Sequence, residues 1–238
     1  MENSLIIALD FADSQSAFEF LKPFGNQKLF LKVGMELYYK EGPAILHRLK
    51  EDGHGIFLDL KLHDIPNTVK SAMKILAGYE CDLVNVHAAG GTDMMIAALE
   101  GLEAGTRPGF KRPDCIAVTQ LTSTSEAQMK TEQLIPGSLL KSVLNYASLA
   151  KSAGLDGVVC SAWEAGAIRD KLGSAFNTVT PGIRMDTDHI QDQKRVATPE
   201  FARSAGVSAI VVGRSITRST DPLNSYLNWM EAWKGASV

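Results

Sequence analysis

The chain has 238 residues, 45% hydrophobic and 21% charged, with 24 basic against 27 acidic side chains and a formal net charge of −3. This is an ordinary globular composition, long enough to bury a substantial core. The weak negative charge argues against a nucleic-acid partner or a membrane surface, and no segment approaches the roughly 20 apolar residues that span a bilayer.

Eight short apolar runs punctuate the sequence, at 5–10, 29–34, 55–62, 83–88, 116–122, 157–162, 176–183 and 209–216. Each reads as a buried strand. Segments of helical character lie between most of them. Residues 36–51 carry Leu37, Ile45, Leu46 and Leu49 as an approximate helical stripe. Pro66 stands where a helix should begin, a position that tolerates it. Residues 93–103 and 138–151 are helix-like, and 222–233 place Leu223, Tyr226, Leu227 and Met230 at helical spacing. The least regular stretches, 123–136 and 185–197, follow expected strands and read as loops over one end of the fold.

Strands alternating with helices argue for parallel βαβ units. Eight units predict an α/β fold, a single-domain (β/α)₈ TIM barrel over 1–238, with its active site at the C-terminal strand ends. A doubly wound sheet is the alternative, but the first strand-to-helix turn, Leu-Asp10-Phe-Ala-Asp-Ser, has no glycine-rich fingerprint. Cys81, Cys115 and Cys160 are widely spaced and odd in number, which reads as reduced core thiols. With an N-terminus that carries no basic leader, they suggest a cytoplasmic protein.

The third run, Phe-Leu-Asp59-Leu-Lys61-Leu-His-Asp64, carries the densest chemistry. Alternation on a strand puts Asp59 and Lys61 on one face. Burying two charges is costly unless they pair and hydrogen-bond. A purely structural ion pair that fixes register is one reading, and a functional charge network is the other. The remaining strand ends favour the second. They offer Asp10, Lys32, His87, Thr122, then Pro181-Gly182-Ile-Arg184, then Gly213-Arg214. Loops after strands seven and eight of such barrels often bind phosphate. Glycine lets the backbone approach an anion, and arginine offers paired N–H groups to it. Lys32 and Lys61 with Asp59 and Asp64 form an alternating charge chain. Immobilised ammonium groups there suit the stabilisation and protonation of a developing carbanion.

The set Ala-Leu-Asp10, Lys32-Val-Gly, Asp59-Leu-Lys61-Leu-His-Asp64-Ile-Pro-Asn-Thr68, Asn85-Val-His87-Ala, Leu-Thr122-Ser, Thr-Pro181-Gly-Ile-Arg184, Asp192-Gln193 and Val-Gly213-Arg214 resembles the bacterial orotidine 5′-phosphate decarboxylases. The likeness runs from residue 5 to residue 218. It implies decarboxylation of orotidine 5′-monophosphate to UMP, with no metal and no organic cofactor. It implies catalytic roles for Lys32, Asp59, Lys61 and Asp64, with Lys61 protonating C6 of the pyrimidine. It also implies a homodimer in which Asp64 and Thr68 serve the neighbouring subunit's site. Asp10, Lys32 and Thr68 would contact the ribose, Thr122 the pyrimidine amide, and Pro181 the base. Gln193, Gly213 and Arg214 would hold the phosphate with Arg184 nearby, and the loop bearing Gln193 would act as a lid. Two other readings share part of the motif. One is a metal-dependent sugar-phosphate enzyme of the wider superfamily, in which a carboxylate would be expected near the place of Lys32. The other is an inactive barrel used for binding.

Overall fold

The computed structural model describes residues 3–185 and 196–235. Eight parallel strands close into a barrel in sequence order. They are β1 (Ser4–Ala8), β2 (Phe30–Gly34), β3 (Gly55–Leu62), β4 (Leu83–His87), β5 (Asp114–Val118), β6 (Gly157–Val159), β7 (Asn177–Thr180) and β8 (Ala209–Val212). Closure comes from β1 pairing with β8, with Ser4 opposite Ala209 and Ile7 opposite Val212. The expected barrel is therefore the observed fold.

Strand alternation divides the apolar side chains into two cores. Ile6, Ala8, Phe57, Leu83, Ile116, Val179, Ala209 and Val211 fill the barrel interior. Their neighbours Leu5, Ile7, Ile56, Leu58, Val84, Val86, Ala117, Val158, Ile210 and Val212 face the helical layer. The interior residues floor the barrel. Following β1, β2 and β3, the interior positions one or two pleats further along are Asp10, Lys32, Asp59 and Lys61, which open at the C-terminal end.

Six strands stop short of the expected ends. β1 ends at Ala8 instead of Asp10, β4 at His87 instead of Ala88, β5 at Val118 instead of Thr122, β6 at Val159, β7 at Thr180 and β8 at Val212. Pro181 has no N–H to extend a ladder, and Gly213 begins the short helix Arg214–Thr217. The apolar pattern outlasts the ladder because the turn residues remain packed; Thr122, for example, is buried.

The expected helix over 36–51 is two helices, Met35–Glu41 and Ala44–Glu51. Gly42 at φ +65° ends the first, and Pro43 precedes the second. The expected loop over 123–136 contains the helix Glu126–Thr131, started by a reciprocal capping box between Ser125 and Gln128. The remaining expected helices are present as Pro66–Ala77, Gly91–Gly105, Leu139–Ser152 and Pro222–Lys234. The first two pack backbone to backbone. A Cβ on Gly101 would collide with the Lys70 carbonyl, and one on Gly105 with the Lys74 carbonyl.

Candidate active site

A cavity of about 420 Å³ opens at the C-terminal ends of the strands. Asp10, Lys32, Asp59, Lys61, Thr122, Pro181, Arg184, Gly213 and Arg214 all line it. Nine of the twelve residues expected at the site thus come together from six different strands or the turns after them. Asp64 and Thr68 do not line this cavity; both are exposed, just beyond β3. Gln193, with the rest of 186–195 and the expected lid, lies outside the described residues. A wider, open cavity of about 710 Å³ lies at the opposite end of the barrel. Its cations are paired, Lys50 with Asp82, Lys111 with Asp114 and Arg112 with Asp156, and none of the residues expected at the site lines it.

Four cations, Lys32, Lys61, Arg184 and Arg214, and two acids, Asp10 and Asp59, share the smaller cavity. A low-dielectric pocket with this surplus favours an anionic ligand. On the floor, the charges form a continuous chain. Lys32 Nζ lies 3.1 Å from Asp10 Oδ1 and 3.5 Å from Asp59 Oδ2. Lys61 Nζ lies 2.7 Å from Asp59 Oδ1. Burial opposes charge on Lys32, but the fields of Asp10 and Asp59 prevail and raise its pKa. Burial likewise opposes charge on Asp59, yet Lys32, Lys61 and hydrogen bonds from Lys61 and Asn85 lower its pKa. Gly34 leaves the room this needs: a Cβ there would stand 3.2 Å from Lys32 Nζ.

Lys61 reaches the cavity by an irregular backbone. Its φ is +53°, in the left-handed region that side-chain-bearing residues seldom occupy. Leu58 pairs with Val84 and Leu62 with Val86, so four residue steps on β3 face two on β4. Such bulges re-aim side chains beside functional sites. Asp59 and Lys61 do meet on one face as the alternation predicts, but through a bulge.

One residue with no assigned role in the sequence reading stands at the centre of this geometry. Asn85 on β4 is 1% exposed. Its Nδ2 donates to Asp59 Oδ1 at 2.6 Å, and its Oδ1 accepts the Lys61 backbone N–H at 2.8 Å. The signal was a polar residue flanked on both sides by valine within the apolar run 83–88. His87 lies half-buried, its ring 5.7 Å from that of His63. Burial first, then His63 and Lys61, lower its pKa. Asp64 accepts a hydrogen bond from the Ile65 N–H at 2.6 Å and is not paired with Lys61 of its own chain. Among the described residues, no group of three or more His, Cys, Asp or Glu side chains is arranged to hold a metal ion.

Known proteins are similar over the whole length of the chain. A protein of Bacillus cereus named orotidine 5′-phosphate decarboxylase is 60% identical over 238 residues, covering 100% of both chains. One of the same name from Geobacillus sp. (strain WCH70) is 61% identical, covering 99% of this chain and 98% of its own. The crystal structure of orotidine 5′-phosphate decarboxylase from Lactobacillus acidophilus superposes with a TM-score of 0.88 at 40% identity, covering 98% of this chain and 99% of that one. Residues 3–228 match the family described as Orotidine 5′-phosphate decarboxylase / HUMPS, and the chain belongs to that family.

Proposed function

We propose that this protein decarboxylates orotidine 5′-monophosphate to UMP and carbon dioxide, as a carboxy-lyase of pyrimidine synthesis. The observation that carries the reading is the Asp10–Lys32–Asp59–Lys61 charge chain on the floor of a cation-rich cavity. Family membership and the names of relatives sharing about 60% of its residues agree with it.

The chemistry follows from the charges. The bond between C6 and the carboxylate carbon breaks, and its electron pair stays on C6. Carbon dioxide leaves, and a proton moves from the Lys61 ammonium to C6, giving UMP. Lys61 then regains a proton from solvent. The pair on C6 is poorly delocalised, so its stabilisation must be electrostatic. Lys61 is held 2.7 Å from Asp59, and in this reading Asp59 would sit beside the departing carboxylate. No single contact supplies a reduction of roughly 8–23 kcal/mol in a barrier. Binding of the phosphate by Gly213, Arg214, Arg184 and Gln193 would contribute by fixing the pyrimidine against the network. Asp10, Lys32 and Thr68 take the ribose, Thr122 the pyrimidine amide, and Pro181 the base.

A homodimer completes this reading. Asp64 and Thr68 are exposed beyond β3 and outside their own chain's cavity, and exposed Ile65 lies between them. That placement suits side chains that serve a second copy's site, where Asp64 would join Lys32, Asp59 and Lys61 in the catalytic set. We place the protein in the cytoplasm, where its three buried free thiols would stay reduced. Among the described residues, no helix is long and apolar enough to cross a membrane. Neither a metal nor an organic cofactor is part of the proposal. The Lys32 ammonium stands 3.5 Å from Asp59, where a metal-dependent relative would need a carboxylate to hold a dication.

A substrate panel tests the assignment. Orotidine 5′-monophosphate should be converted in excess EDTA, while keto-gulonate and hexulose phosphates with magnesium should not react. The reverse pattern would move the chain to the metal-dependent branch.

A further inference from the structure

We infer that Asn85 is a positioning residue for the proposed reaction: it fixes both the Lys61 backbone and the carboxylate that holds the Lys61 ammonium. This rests on the decarboxylase reading and extends it to a residue that does not line the cavity.

The argument begins with cost. An amide buried in a barrel interior is unfavourable unless its donors and acceptor are engaged. Leu83 precedes Asn85 on the same face of β4, and Ile116 is its neighbour on β5. Both ends of the Asn85 amide are nonetheless engaged. A carboxylate can only accept and a backbone N–H can only donate, so its orientation is dictated. Nδ2 faces Asp59 and Oδ1 faces Lys61 N–H.

The consequence is a closed loop of contacts. Asp59 Oδ1 receives both Asn85 Nδ2 at 2.6 Å and Lys61 Nζ at 2.7 Å. Its other oxygen faces Lys32 at 3.5 Å. Rotation of the Asp59 carboxylate would break at least one of these. Meanwhile the bulge removes the Lys61 N–H from the ladder with β4, and Asn85 Oδ1 replaces that partner. A left-handed residue of this kind persists only where its surroundings hold it. Asn85 therefore grips Lys61 at its backbone and, through Asp59, at its ammonium.

A role of this kind acts on the chemical step more than on ligand binding. In Asn85→Ala, turnover should fall by about 10- to 100-fold, the scale of a reacting group misplaced by an ångström. The dissociation constant for UMP should stay within about twofold. Asn85→Asp adds a readout that simple packing would not produce. The new carboxyl would face Asp59, which itself meets Lys32 from β2 and Lys61 from β3; Asp10 pairs with Lys32, and His87, two residues along β4, faces His63. Two carboxyls this close share a proton. Once protonated, the introduced carboxyl donates to Asp59 and accepts from Lys61 N–H, as the amide does.

The experiment measures kcat on orotidine 5′-monophosphate and UMP affinity for wild type, Asn85→Ala and Asn85→Asp between about pH 5.5 and 8, the range in which histidines and raised carboxyls titrate. Circular dichroism establishes that each is folded. Taking each variant's ratio to wild type at the same pH cancels ionisations common to both proteins. For Asn85→Asp the kcat ratio should rise about tenfold as the pH falls, and for Asn85→Ala it should stay flat. The proposal is overturned by a folded Asn85→Ala with kcat within about twofold of wild type, by UMP affinity falling in step with kcat, or by a pH-independent ratio for Asn85→Asp. If Asn85→Ala does not fold, the Asn85→Asp profile decides alone. Inactive wild type would refute the decarboxylase reading instead, so the two failures are distinct.

Discussion

Lys61 and Asp59 place Nζ and Oδ1 2.7 Å apart although the backbone of Lys61 leaves the extended region, at φ +53°. The pair is thus formed across a bulge, and the bulge belongs to the site as much as the charges do. Stability alone gives little reason for it. Buried ion pairs often contribute nothing net, and a left-handed lysine costs on the order of 1 kcal/mol more.

Asp59→Asn tests the electrostatics of the pair. Asp59 has a folded pKa below the ordinary 3.8, so its contribution to stability is present above that value and is lost as the pH falls through the folded one. The variant leaves two lysines without their shared carboxylate. At pH 7 it should be less stable than wild type by about 3 kcal/mol. The difference should narrow as acid protonates Asp59 in wild type. Urea unfolding at pH 7 and at several values below about 4 checks this, and an unchanged difference would contradict it.

Arg214→Ala tests the anion-binding end. Arg214 lines the cavity directly after Gly213. Losing a charged hydrogen-bond donor to a phosphate costs about 1.5–3 kcal/mol, so UMP should bind about 10- to 100-fold more weakly. Uridine affinity should change by less than about twofold. Calorimetry with both ligands separates the cases, and equal losses would remove Arg214 from the phosphate.

Shared sites have a consequence for mixed proteins. Asp64→Asn and Lys61→Ala should each be nearly inactive alone. In a hybrid dimer, one of the two sites would carry neither substitution. Full random exchange should then restore about a quarter of wild-type specific activity. No activity after subunit exchange has been verified by mass spectrometry would count against a site built from two chains.

Gly101→Ala tests the scaffold under β3 and β4. Alanine is intrinsically better in a helix by about 1 kcal/mol, but its Cβ would meet the Lys70 carbonyl. Separating the two helices should cost about 1–3 kcal/mol. Thermal unfolding should therefore occur at a lower temperature, while kcat of the folded protein is retained. A higher Tm would show that the helices can part without cost.

Much of this was legible because period and polarity agree. The runs containing Leu31, Leu58, Val84 and Ile210 identified strands, and strand ends alone placed Asp10, Lys32, Asp59, Lys61, Pro181 and Arg214 around one mouth. What was missed has physical causes. Hydrophobic runs do not register where a ladder stops, so the apolar runs 116–122 and 176–183 extend past the ends of β5 and β7. The Gly42-Pro43 break and the Ser125-Gln128 capping box were visible as local signals, yet the apolar stripe and the loop composition outweighed them. The Lys61 backbone conformation leaves no trace in composition, since it depends on Asn85 across the sheet. Asp64 followed Lys61 closely enough in sequence to suggest one cluster, but the turn after β3 carries it outward.

The most direct test of the charge network is the ultraviolet absorbance of orotidine 5′-monophosphate with wild type and with Lys61→Ala, both in excess EDTA. Wild type should convert it rapidly to UMP. Lys61→Ala, folded by circular dichroism, should be slower by at least about a thousandfold, having lost both proton donor and cation. Comparable rates for the two proteins would show that the reaction does not pass through Lys61.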